Sequence, residues 1–262
     1  MFCNKIRFLR LYFCVFVDAL LLLAVGASGL LLMLLVFLPI YFVTWSMPPG
    51  FLEAFLYTAL FGAAAAALSL LPGLAAALAS RRGGVVGVLS QVLYVPAVVP
   101  PTSVGVLLLA SFNLPRALCI NGVGAFCALR DLPAYVVNQP LGVLIAMTVM
   151  ALPVSYAVFE GALREERAEL YFRSLGFSGF SLLLMILLSM RRAALTAFVF
   201  AWVRSFGELG VLLVFASYPV TASIYIYNAW LTYGVGAAVG ASLATALVSI
   251  GVAYLARWRL SK

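Results

Sequence analysis

Long uncharged stretches alternate with short charged ones along this chain, and the uncharged stretches set the expected fold. Residues 19–43, 54–80, 83–115 and 132–159 carry no charge, and a further run from Ala193 to Ala256 is interrupted by Arg204 and Glu208 alone. That run is too long for one crossing, and the turn-like segment ASYPVTAS (216–223) divides it into spans near 193–216 and 230–256. Each segment can cross about 30 Å of hydrocarbon as a helix. The runs are longer than barrel strands, and backbone polar groups cannot stay unpaired in lipid, so helices are predicted. The expectation is an all-α polytopic membrane protein with six transmembrane helices, folded as one domain over residues 1–262.

Two segments need separate treatment. Phe177 to Met190 is apolar but only 14 residues long, which suits an interfacial or buried helix better than a span. The N-terminus has basic Lys5 to Arg10 followed by apolar residues and the small residues AVGASG (24–29), as a signal peptide would. The stretch from Ala19 to Val43 nevertheless has 25 uncharged residues, against about 7–15 in a signal core, so an uncleaved first span is predicted.

Composition agrees: 66% of the residues are apolar, 9% are charged and the mean hydropathy is +1.16. A soluble domain has roughly 25% charged residues, so this chain lacks the polar surface to cover a globule in water. A cytoplasmic enzyme, a disordered chain and a secreted disulfide mini-domain are excluded. The net charge of +8 does not point to nucleic acid, because the basic residues lie in small groups beside apolar runs, where they orient spans. With 177–190 kept on one side, one face receives Lys5, Arg7, Arg10, Arg81, Arg82, Arg164, Arg167, Arg173, Arg191, Arg192, Arg257, Arg259 and Lys262, 13 of the 16 basic residues. The other face receives Arg116 and Arg130. This asymmetry predicts a multi-pass protein of the cell membrane with both termini and the 160–192 segment cytoplasmic.

Four places carry candidate chemistry. Within 160–192, Gly161 to Leu175 suits a short amphipathic helix stopped by Gly176, either lying at the lipid boundary or docking into a partner's groove. Pro100 and Pro101 remove backbone donors in mid-span and kink or break the helix there, which is tolerated where freed carbonyls face protein or a water-filled path. Arg204 and Glu208 are four apart and can pair on one helix face; each costs about 2.5–3.5 kcal/mol at mid-membrane on insertion scales, so both should face the bundle or a polar cavity. Gly207, Gly210, Gly234, Gly236 and Gly240 allow close helix contact. Cys119 and Cys127 flank the loop CINGVGAFC on the predicted oxidising side, where a disulfide between them is predicted; Cys3 and Cys14 are expected free. With no His, no metal-ligand spacing and no nucleophile–base pair, the chain is not expected to be an enzyme. A phosphate-binding Gly-rich loop is also missing, so ATP and Mg would be bound by another chain.

The 160–192 segment resembles the cytoplasmic loop of permeases of binding-protein-dependent ABC importers, which reads Glu-Ala-Ala, three residues, Gly, nine residues, Ile-x-Leu-Pro. Gly176, Ile186 and Leu188 stand in that frame; Ser189 replaces the Pro, and Leu170, Tyr171 and Phe172 replace Glu-Ala-Ala, with Glu169 one residue early. VLYVPAVVPPTSVGVLLLASF (92–112) is similar to a stretch of molybdate, tungstate and sulfate permeases, with Pro96, Pro100, Pro101, Thr102 and Gly105 on its positions. RSFGELGVLLVFASYPVTASIYIY (204–227) resembles their Arg-Ala-x-Gly-Glu-Phe-Gly segment through Arg204, Gly207, Glu208 and Gly210, with Leu209 in place of Phe. Its continuation is nearest to archaeal-type molybdate/tungstate permeases.

The resemblance implies the type I ABC importer permease fold. It also implies a homodimer, two cytoplasmic ATPase subunits and an external oxyanion-binding protein. It implies ATPase coupling through Glu166, Glu169, Leu170, Tyr171, Phe172, Arg173, Gly176 and Phe177, and a translocation path near Pro100, Pro101, Thr102, Ser103, Arg204 and Glu208. Molybdate or tungstate is the first expected cargo and sulfate the second. The rivals are a secondary transporter or channel, which usually shows buried acidic relays or paired broken helices, and a membrane-embedded enzyme, which the missing His and clustered carboxylates disfavour.

Overall fold

The computed structural model of the protein describes residues 19–35, 38, 41, 49–122, 124–165 and 168–261. Lys5, Arg7, Arg10, Cys3, Cys14, Glu166, Arg167 and Lys262 lie outside the described residues. Among those described, the regular structure is all helical. In chain order the helices are α1 (Ala19–Leu35), α2 (Phe51–Ser80), α3 (Gly84–Ser90), α4 (Val95–Val98), α5 (Pro101–Ile120), α6 (Leu132–Val136) and α7 (Pro140–Glu165). There follow α8 (Ala168–Ser174), α9 (Gly179–Ser189), α10 (Arg191–Phe206), α11 (Gly210–Phe215), α12 (Ala222–Tyr233) and α13 (Val235–Ser261). Short 3-10 turns cover Gln91–Tyr94 and Gly124–Leu129.

Four of the described helices are long and apolar enough to cross a membrane: α2, α5, α7 and α13. A fifth arises only if α9 and α10, which meet at 88°, are counted as one bent span. The first expected span, 19–43, is described as a helix from Ala19 to Leu35, with most of 36–43 outside the described residues. Three of the other expected spans are interrupted, and the reason is local. The expected span 83–115 divides at Val99–Pro100, the expected span 193–216 at Gly207–Leu209, and the expected span 230–256 at Gly234, whose φ is +83°. The span expected at 132–159 starts its long helix only at Pro140 and runs on to Glu165. A separate amphipathic helix from Gly161 is thus corrected: residues 161–165 continue α7, and a new helix begins at Ala168. The steep α9–α10 angle lets Phe177–Met190 lie across the bundle rather than along it.

The centre of the bundle is α2 against α7, and small residues permit the approach. A Cβ on Gly73 would lie 2.8 Å from Ser155 Cβ and 3.0 Å from the Tyr156 nitrogen, and the Ser69 and Ser155 hydroxyls meet at 2.6 Å. Close backbone approach through Gly, Ala and Ser is how helices associate where lipid removes the hydrophobic drive. α10 joins them through Trp202, whose Nε1 donates to the Ala59 carbonyl at 2.9 Å. Two apolar clusters result. One, around Met147, Val211, Leu212 and Phe215, holds α5, α7 and α11; the other, around Tyr156, Phe159, Leu163 and Ile186, holds the end that carries α8 and α9.

Candidate functional site

Two interrupted helices meet beside the first cluster, and each interruption follows from sequence. A residue before proline is pushed from the helical region to extended backbone. Val99 (ψ 140°) precedes Pro100, and Pro100 (ψ 134°) precedes Pro101, so two successive extended residues end α4. Pro101 then starts α5 at the position where a missing N–H costs nothing, and Ser103 and Val104 donate to the Pro100 carbonyl at 2.9 and 3.2 Å. In the other helix, Gly207 caps α10 and the chain restarts at Gly210 after Glu208 and Leu209.

The two restarts, α5 and α11, pack through reciprocal glycines. A Cβ on Gly105 would lie 3.0 Å from both the Val211 carbonyl oxygen and Val214 Cβ; one on Gly210 would lie 3.0 Å from Pro101 Cβ and 3.2 Å from the Thr102 nitrogen. Pro100, Pro101, Thr102 and Ser103 are all exposed on the subunit's surface, while Val104 and Gly105 are buried beneath them. The sequence motifs around 92–112 and 204–227 thus form one structural unit.

Arg204, in the last turn of α10, pairs with the Glu208 carboxylate through Oε1. Glu208 is 1% exposed, whereas the Arg204 side chain is 38% exposed. Glu208 Oε2 has no hydrogen-bond partner among the described residues. A buried pair of this kind is roughly neutral for stability while intact, and removal of one member leaves an uncompensated charge. The half-open guanidinium has N–H donors beyond the one that faces Glu208.

Sequence reasoning missed the struts that hold this unit. Asn138, in left-handed backbone (φ 59°), donates its N–H to the Phe215 carbonyl at 3.1 Å, and its Oδ1 accepts from the Ser217 N–H (2.8 Å) and hydroxyl (2.7 Å). This ties the α6–α7 link to the chain leaving α11. The signal was present: Asn is the non-glycine residue that best tolerates this backbone region, and it stands in Asn-Gln-Pro. Thr58 accepts the Ala222 N–H at 2.7 Å, and Ser223 donates to the Glu208 carbonyl at 2.7 Å, so α12 braces the second interruption and α2 holds the start of α12.

At the other end, α8 ends in a Schellman turn. Gly176 (φ +86°) donates to Arg173 O at 3.0 Å, Phe177 donates to Phe172 O at 3.1 Å, and the Phe172 and Phe177 rings pack edge-to-face. Phe172 and Phe177 pack against the second cluster, so they face inward; Leu170 and Tyr171 are exposed. Glu169 is mostly buried and binds Arg173 at 2.8 Å. Above α8, Tyr94 donates to Glu160 at 2.9 Å, Glu160 meets Arg164 at 3.7 Å, and Gln91 donates to the Tyr156 hydroxyl at 3.3 Å. These contacts fasten the first half of the broken 84–120 segment to the end of α7 that leads into α8. Cys119 and Cys127 are joined by a disulfide at the far end of α5.

No family model matches the chain. It is similar to three proteins called molybdate/tungstate transport system permease protein WtpB. The one from Pyrococcus abyssi is 26% identical over 219 residues, 82% of this chain and 80% of that protein. The one from Thermococcus kodakarensis is 26% identical over 171 residues, 64% of this chain, and the one from Pyrococcus furiosus 24% over 168 residues, also 64%. The matched stretches span 61% and 60% of those two proteins' lengths. The similarity and the apolar helices together describe a multi-pass membrane protein distantly related to transport permeases.

Proposed function

We propose that this chain is the membrane permease subunit of an ATP-driven importer for a tetrahedral oxyanion, molybdate or tungstate first and sulfate second. The observation that carries the reading is the exposed break at Pro100–Ser103 packed on the Arg204–Glu208 interruption. Irregular backbone at membrane depth is tolerated only where protein covers it or water fills it. An exposed break in a single subunit therefore calls for a covering partner or an aqueous path, and a second copy facing the first supplies both. Thr102 and Ser103 hydroxyls and the half-open Arg204 would line the path as donors to an anion. The distant WtpB relatives support the choice of cargo.

In this reading both termini and α8 are cytoplasmic, two separate ATPase subunits bind ATP and Mg and grip α8, and an external binding protein delivers the anion. Selectivity then resides mostly in the binding protein. Motion at α8 reaches the break through α7 and the Tyr94–Glu160 hydrogen bond. The test is ATPase activity of the assembled transporter in proteoliposomes, with binding protein carrying molybdate, tungstate or sulfate. Stimulation by the molybdate or tungstate form, with matching uptake, is expected. Unchanged hydrolysis with every loaded form would overturn the assignment.

A further inference from the structure

At the basic end of the molecule a cleft of about 340 Å³ opens between α2 and the α8–α9 corner. Ala75, Leu78 and Ala79, at helical spacing on α2, form one wall, and Leu182 and Leu183 of α9 form the other. Arg82 and Arg173 stand in its lining as the two charged groups. Arg82 is brought there by the turn after α2, where its N–H bonds to Ala79 O at 3.1 Å, and it makes no ion pair among the described residues. Arg173 binds Glu169 but is 43% exposed, and its five-donor fork keeps further donors for another oxygen.

The surroundings indicate what occupies the cleft. α9 has no charged residue, and although Leu182 and Ile186 are buried, Phe180, Leu184 and Leu188 on its other side are exposed. A helix apolar on its outer side, at the end of the molecule that gathers Arg81, Arg82, Arg173, Arg191 and Arg192, belongs at the boundary between headgroups and acyl chains. The volume is at the small end of ligand-sized cavities, which run about 300–1,000 Å³. An apolar floor with a cationic rim matches a molecule with an anionic head and an apolar tail. We propose that this cleft is a specific site for an anionic phospholipid, whose phosphate lies between Arg82 and Arg173 and whose upper acyl chain lies on Ala79 and Leu183. The lipid braces α8 against α2, since both guanidiniums belong to different elements. The proposal concerns lipid retention by this chain and holds whichever anion it transports.

The test uses the full-length chain in mild detergent with equal amounts of phosphatidylglycerol and phosphatidylcholine, read by native mass spectrometry. Wild type should keep one phosphatidylglycerol per chain in preference to phosphatidylcholine. Arg82→Gln should lower that preference about tenfold, the size expected for one charge-assisted hydrogen bond. Ala79→Phe keeps both cations but fills the cleft, and should abolish retention while helical content by circular dichroism is unchanged. Wild-type retention in both variants would overturn the site. So would unchanged lipid retention together with weaker ATPase co-purification by Ala79→Phe, which would give the cleft to a protein partner. If Ala79→Phe fails to fold, Arg82→Gln and Arg82→Lys decide alone: a single preference shared by wild type, Lys and Gln overturns the proposal.

Discussion

At the α5–α11 contact, a methyl on Gly105 or Gly210 would meet neighbouring atoms at 3.0 Å; at the end of α8, nothing lies within 4 Å of where a Cβ on Gly176 would be. Gly210 has ordinary backbone and a crowded neighbourhood, whereas Gly176 has φ +86° and open space. The first glycine is there for what packs against it, the second for how the chain must turn. The same contrast separates the charges. Glu208 is sealed in the bundle with one partner, while Arg173 at the α8 end keeps an open side. One region is a tightly packed joint, and the other presents an open surface.

The largest effect is expected where the joint buries charge. Arg204→Ala leaves the Glu208 carboxylate buried without a counter-ion, and breaking such a pair costs about 3–5 kcal/mol. Replacing both, as Arg204→Met with Glu208→Leu, should recover most of that stability while transport stays lost. Thermal unfolding of the purified permease and anion uptake measure the two sides separately. If Arg204→Ala unfolds with the wild type, Glu208 does not depend on its partner; if the double variant transports normally, the pair is structural only.

The next effect separates the two kinds of glycine. Gly210→Ala crowds Pro101 and Thr102, and overpacking of this kind costs typically about 1–3 kcal/mol. Gly176→Ala meets no neighbour, but a side chain in left-handed backbone costs roughly 1–2 kcal/mol. Asn distinguishes them, because it tolerates left-handed backbone yet is bulkier than Ala. Gly176→Asn should behave nearly as wild type in unfolding and uptake, and Gly210→Asn should be worse than Gly210→Ala. Equal behaviour of the two Asn variants would erase the distinction.

The break at Pro100–Pro101 and the stop at Gly176 were legible in the sequence, whereas the other interruptions and the joints between them were not. Pro100–Pro101 and Gly176 speak through their own backbone restrictions, so a break and a helix stop could be read locally. The four-residue spacing of Arg204 and Glu208 was likewise a local signal, and it led to the pair. The apolar runs showed the class but not the helix ends: α7 continues past Glu160 because nothing in Gly161–Arg164 stops it, and Gly207 and Gly234 cut runs that hydropathy alone reads as continuous. That Gly105 faces Val211, or that Asn138 holds Ser217, depends on pairing between distant segments, which no local rule supplies. Phe172 shows the same limit. It stands beside Tyr171 in the sequence, yet the Schellman turn directs it inward against Phe177.

The smallest effect on stability, and the sharpest on partner binding, is expected at Tyr171. Tyr171 is 62% exposed at the α8 end, whereas Phe172 packs against the second cluster. Tyr171→Ser removes an exposed ring, and surface changes of that kind shift stability by about 0.5 kcal/mol or less. A buried aromatic anchor in an interface is worth about 2 kcal/mol or more, so ATPase co-purification should fall roughly thirtyfold while unfolding is unchanged. Phe172→Ser should do the reverse in order of cause: it opens the cluster that includes Leu163 and Phe177, lowers the unfolding temperature, and weakens ATPase binding only as α8 loses its seat. Measuring both variants for unfolding temperature and for ATPase retained per permease separates an anchor from a support. Should Tyr171→Ser keep full ATPase binding and uptake, α8 is a surface helix and the gripping end lies elsewhere.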